Sequence, residues 1–185
     1  IAFFSYEILL LWTGNPVTSE NTYMIASILI IGTAFNGLMN LPYALQLAHG
    51  WTRLTFYVNL VSVMLLVPLT MLMPWKYGAI GASFVWVILN CGYVVIAIPL
   101  MHRRLLTGEK WVWYGKDVGL PMLVAFATVG VGKFIIGGEP SSQMMSVVIL
   151  ILISAVTLGA TAVMTPMTRN FIFNHLMKFK LTYRS

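Results

Sequence analysis

Apolar residues run along this chain in five stretches of membrane-spanning length, separated by short clusters of glycine, proline and charge. A helical crossing needs about 20 mostly apolar residues, because backbone N–H and C=O groups find no water in the hydrocarbon core and must bond within the segment. Residues 21–48, 54–74, 77–101, 118–136 and 144–164 meet that requirement, and 1–12 reads as the tail of a truncated sixth span. Between them, "TGNPVTSE", "HGWTR", "PWK", "HRRLLTGEKWVWYGKD" and "GGEPSSQ" carry the turn formers and charges expected where helices end. The pattern predicts an all-α, polytopic transmembrane helix bundle of about five complete spans plus the end of a sixth.

A helix that meets lipid on every side is apolar all round, so polar residues recurring every three or four positions mark a face turned toward protein or water. Three spans show such a stripe: Thr33, Asn36, Asn40 and Tyr43 in the first complete one, Thr55, Asn59 and Ser62 in the next, and Trp86, Asn90 and Tyr93 in the third. At about 100° per residue each set falls within a narrow arc. Two readings stand side by side. The amides are interhelical glue, at about 0.6 kcal/mol per bond, or they line a shared polar cavity, which three adjacent striped helices favour. Glu7 has no basic neighbour in sequence and divides between cavity and interface. Pro42 cannot donate to the Leu38 carbonyl and crowds it, so a bend is predicted there and Pro42 is the candidate hinge. In the last two spans Ser146, Ser154, Thr157 and Thr161 scatter around the circumference, which reads as a peripheral pair.

Composition agrees with a chain embedded in a membrane: 59% of residues are hydrophobic and 9% charged, with a mean hydropathy of +0.86. The net charge of +6 does not point to nucleic acid, because the cations sit in short loops beside apolar spans, where anionic lipid and orientation account for them. If the loops alternate sides, Arg53, Arg103, Arg104, Lys110, Lys116, Arg169, Lys178, Lys180 and Arg184 share one side and only Lys76 and Lys133 the other. The positive-inside rule makes the first side, and the C-terminus, cytoplasmic. His49 and His102, beside Arg53 and Arg103, read as contacts to lipid phosphate, and Cys91 as a packing residue. No cluster of carboxylates, histidines or cysteines gathers along the sequence, so no catalytic residue, cofactor or metal ligand is assigned.

"SYEILLLWTGNP", "NGLMNLPYALQLAHGWTRL" and "PWKYGAIGASFVWVILNCGYVVIAIPLMHRRLL" together resemble the C-terminal half of bacterial polysaccharide flippases of the O-antigen and capsule type. Their superfamily also holds the multidrug and toxic compound extruders and the lipid II flippase. The resemblance covers Ser5 to Leu106. It implies two six-helix lobes around a cavity that opens alternately to each side. Such a transporter moves undecaprenyl pyrophosphate-linked oligosaccharide from the cytoplasmic to the outer leaflet of the bacterial inner membrane, for surface polysaccharide biosynthesis. On that frame 1–106 is the last four helices of the second lobe, 107–117 a cytoplasmic interfacial loop, 118–166 an appended helix pair and 167–185 a cytoplasmic amphipathic tail. The implied partners are the lipid-linked oligosaccharide, membrane lipids and other polysaccharide assembly proteins. The candidate lining in this chain is Asn36, Asn40, Tyr43, Asn59, Ser62, Trp86, Asn90 and Tyr93 with Glu7, since amides both donate and accept toward sugar hydroxyls and aromatic rings offer flat apolar faces. No arginine or lysine lies at mid-depth in the striped spans, so no phosphate ligand is assigned. The competing readings are a drug or organic cation antiporter of the same superfamily and a membrane glycan polymerase or ligase, the last needing a long outward loop.

Overall fold

The computed structural model describes residues 1–136 and 143–164, which are helical throughout apart from short turns, with no strand among them. A 3-10 turn at Ala2–Phe4 leads into α1 (Ser5–Thr13), followed by α2 (Pro16–Leu38), α3 (Asn40–Ala48) and α4 (Thr52–Gly92). A π-helical turn at Tyr93–Ala97 joins α4 to α5 (Ile98–Arg104). After the short α6 (Lys110–Val112), a second π-helical segment at Trp113–Gly119 leads into α7 (Leu120–Ile136), and α8 (Gln143–Met164) completes the set. Four helical runs are long and apolar enough to cross a membrane: Pro16–Ala48, Thr52–Arg104, Lys110–Ile135 and Met144–Met164. The chain divides into two compact units, Ile1–Lys110 and Trp111–Ser185.

In the first unit, the "TGNP" turn makes a helical hairpin from local chemistry alone. Gly14 takes the left-handed conformation at φ 64 and returns its N–H to the Leu10 carbonyl, closing α1. The Asn15 side chain then accepts from the Val17 and Thr18 amides at 3.0 and 3.2 Å, with Pro16 at the first position of α2. The two helices run antiparallel, as the Ser27 hydroxyl bond to the Ala2 carbonyl and the edge-on Tyr6–Tyr23 contact show.

A break at Met39 separates α2 from α3. The Met39 N–H bonds back to Asn36, three residues away rather than four, and Tyr43 then donates to the Met39 carbonyl. The missing N–H of Pro42 is what the Leu38 carbonyl would have received, so the ladder parts where the sequence removes its donor.

Thr52–Arg104 is 53 residues, about 80 Å if straight at 1.5 Å per residue, against a hydrocarbon core of about 30 Å. It folds back at Gly78, whose φ of 60 and ψ of −148 only glycine accepts readily. The two limbs, 52–77 and 79–92, pack antiparallel, with the Tyr93 hydroxyl donating to the Asn59 side-chain oxygen at 2.9 Å. Gly81 sits where any Cβ would strike the Met73 carbonyl and the Tyr77 side chain, so the first turn after the reversal needs its small size. The expected turn at "PWK" is therefore displaced: Pro74, Trp75 and Lys76 remain helical and the reversal follows at Gly78.

Both π segments end two residues before a proline, Pro99 and Pro121, and each hands on an N–H bonded five residues back, Ile98 to Tyr93 and Leu120 to Gly115. A widened turn moves the carbonyl that a proline ring would otherwise strike, which lets the helix continue through it. The segment expected as a loop from 107 to 117 is helical from Lys110 onward, and the turn occupies only 105–109. Trp111, Val112, Trp113, Tyr114 and Val118 supply apolar surface that extends α7 backward.

In the second unit α7 and α8 pack antiparallel. The Thr128 hydroxyl donates to that of Thr157 at 3.2 Å, and Gly132 receives the Ile153 side chain. The predicted turn at 137–143, apart from Gln143, and the tail at 167–185 lie outside the described residues.

Candidate functional site

The three polar stripes all belong to the first unit. Measured along each helix at 1.5 Å per residue, Asn40 lies about 13 Å from His49, Asn59 about 11 Å from Thr52, and Tyr93 about 17 Å from Arg104. These three residues lie in the half of each span nearer the end that carries Arg53, Arg103 and Arg104, whereas Trp86 lies nearer Gly78.

Much of the stripe is spent on holding helices together. The Asn36 amide donates to Asn90 Oδ1 at 2.8 Å, and the Asn90 amide donates to the Trp86 carbonyl at 2.8 Å. Asn90 is wholly enclosed. One turn away, Trp86 Nε1 donates to the Thr33 hydroxyl at 3.3 Å, and Gly32 lies directly under the indole, with no space for a Cβ. The matched spacing of the pairs 32/86 and 36/90 sets α2 parallel to the second limb of α4. Asn36, Trp86 and Asn90 thus form one interhelical chain, the arrangement expected of polar groups that must be satisfied away from water.

The remaining candidates are open. Asn40, Tyr43 and Asn59 are exposed, and Ser62 and Tyr93 are half-buried. The bond from Tyr93 uses only the Asn59 oxygen and leaves that residue's Nδ2 donors unspent by it. Pro42 is buried beside these groups in the first turn of α3. Glu7 is half-buried in the first turn of α1, with Oε2 enclosed. Its neighbour Tyr6 packs on Tyr23, about 20 Å along α2 from Asn36, so the structure does not gather Glu7 with the asparagines.

Several residues carry roles that the stripe pattern did not assign. Gln46 is 0% exposed; its Oε1 accepts from the Thr55 hydroxyl at 2.7 Å, tying α3 to α4, and its Nε2 is enclosed with no acceptor among the described residues. His102, expected at the lipid phosphates, is instead buried at 2% exposure. Its Nδ1 lies 2.9 Å from the Ile98 carbonyl, so that nitrogen carries the proton and donates. Cys91, expected as packing, is exposed. Trp51 receives the Arg104 guanidinium on its ring at 4.5 Å. No group of three or more His, Cys, Asp or Glu side chains comes together among the described residues. Asn40, Tyr43, Asn59, Ser62 and Tyr93 offer neutral donors, acceptors and aromatic faces.

Over 83 residues, 45% of this chain, the sequence is 29% identical to a Shigella flexneri protein named "Putative O-antigen transporter". The matched stretch spans 20% of that protein's length. No family model and no solved structure matches the chain. The similarity is to one fifth of a longer protein named as a transporter, and it sits beside an all-α architecture with four runs of membrane-crossing length.

Proposed function

We propose that the chain is part of a flippase that carries undecaprenyl pyrophosphate-linked oligosaccharide from the cytoplasmic to the outer leaflet of a bacterial inner membrane. The observation that carries this reading is the set Asn40, Tyr43 and Asn59, exposed inside span-length helices, with the half-buried Tyr93 bonded to Asn59. Amides and phenols left open at that depth are costly against hydrocarbon and useful against a hydroxylated cargo. The similarity to the Shigella protein supports the same cargo class.

In this reading the open polar groups face a vestibule on the cytoplasmic side, where sugar hydroxyls exchange hydrogen bonds with the asparagines and sugar rings lie on the tyrosines. The Asn36–Asn90 and Thr33–Trp86 bonds keep α2 and the second limb of α4 together as one wall. The break at Met39 lets α3 swing against α2 as the cavity changes sides. Residues 1–106 then belong to the second transport lobe and 118–166 form an appended pair. Loss of the parent protein should leave the lipid-linked glycan on the cytoplasmic leaflet and deplete surface polysaccharide, with drug tolerance unchanged. Drug sensitivity with normal surface glycan would favour an organic cation antiporter instead.

A further inference from the structure

The first unit carries four cations at one end, Arg53, Arg103, Arg104 and Lys110, beside a single acid, Glu109. The Arg104 guanidinium lies 4.5 Å over the ring of Trp51, so the end of α5 meets the turn before α4. That turn is pinned. The Trp51 N–H donates to the Gln46 carbonyl at 2.9 Å, and Gln46 itself is wholly enclosed and bonded to Thr55 in the first turn of α4. The backbone that carries the indole is therefore fixed, and the ring is half-buried under the Arg104 guanidinium.

A guanidinium resting on a ring face keeps its five N–H donors in its own plane, free to meet an anion at the edge of the stack. Arg103 and Arg53 stand beside this pair in sequence, and both are exposed. Among the described residues no carboxylate pairs with Arg53, Arg103 or Arg104. Helices α4 and α5 begin and end here, which puts the stack at headgroup depth, where an indole is at home.

The geometry points to a binding site for a lipid headgroup that ends in a phosphate dianion, a phosphomonoester or a pyrophosphate, in the leaflet at this end. General attraction of cations to an anionic surface is worth about 1 kcal/mol per side chain and acts alike on every anionic lipid. An oriented guanidinium fork discriminates, because a terminal phosphate presents several oxygens to a planar set of donors and a phosphodiester presents fewer. Three guanidiniums without a neutralising acid also match a charge of two or more. The site goes beyond the transport reading: it depends on the Trp51–Arg104 stack and the arginines next to it in sequence, and holds whichever cargo the cavity takes.

The test is native mass spectrometry of the full-length protein, purified in detergent and offered equal amounts of phosphatidic acid and phosphatidylglycerol with the same acyl chains. Phosphatidic acid should be retained about tenfold more strongly. Arg104→Gln and Arg104→Lys should abolish that preference, and Lys76→Gln, just before the reversal at the other end, should keep it. Trp51→Leu should also lose it with the charge intact. If Trp51→Leu does not accumulate as folded protein, Trp51→Phe, which retains a ring, should keep the larger part. Equal retention of the two lipids, or undiminished preference in Arg104→Gln, would overturn the site. Inorganic pyrophosphate alone binding as tightly as the lipid would overturn the lipid as its ligand.

Discussion

The asparagines of this chain divide by what their amides already hold. Asn90 is enclosed and accepts from Asn36, so Asn90→Leu should strand the Asn36 amide and lower stability by about 1 kcal/mol, read as a reduced unfolding midpoint in detergent. Asn40 is exposed, so Asn40→Leu should leave that midpoint unchanged and reduce surface polysaccharide at matched protein levels. Normal polysaccharide in Asn40→Leu would reduce the whole stripe to interhelical glue. Periodicity could place Asn36, Asn40 and Asn90 on helix faces, but it could not say which face found a partner, because the partner of Asn36 lies 54 residues away. Gln46 escaped for a related reason: it sits off the stripe, and only the return of the chain through Trp51 brings Thr55 against it.

At the level of elements, local chemistry was legible wherever a single residue type dictated the backbone. Gly14, Asn15 and Pro16 end one helix and begin the next as their side chains require, and the ladder parts at Met39 because Pro42 has no N–H to give Leu38. The reversal after the second complete span was misplaced because Pro74 and Lys76 look like a turn, whereas the φ of 60 falls on Gly78. The π segments before Pro99 and Pro121 were not foreseen, although the proline at a fixed distance beyond each is a usable signal. Close approach decides which glycines matter. Gly81→Ala should lower expression and the unfolding midpoint clearly, because the obstacle is the Met73 backbone carbonyl, which cannot rotate away. Gly37→Ala meets nothing within 4 Å and should be neutral or slightly stabilising in α2. A neutral Gly81→Ala would mean that the Met73 carbonyl does not confine the return after Gly78.

For the whole molecule, the all-α, multi-span character followed from hydropathy alone, whereas the position of the reversal between the two limbs did not, since it depends on one glycine conformation. Orientation rests on the basic loops and can be checked directly. In a Cys91→Ala background, Thr18→Cys should react with an impermeant thiol reagent added to intact cells and Thr107→Cys should not; both positions are exposed, unlike Ser19, which is buried. Labelling at Thr107 would invert the topology. The reversal at Gly78 also bears on how the chain enters its membrane. No hydrophilic segment separates the two limbs, and Asn59 receives the Tyr93 hydroxyl only after 34 further residues have been made. At about 5–20 residues per second that is roughly two to seven seconds of synthesis. Through that interval the first limb holds an amide without its native partner, so it gains its full stability in lipid only when the second limb has emerged, and the two are expected to leave the translocation machinery as a pair.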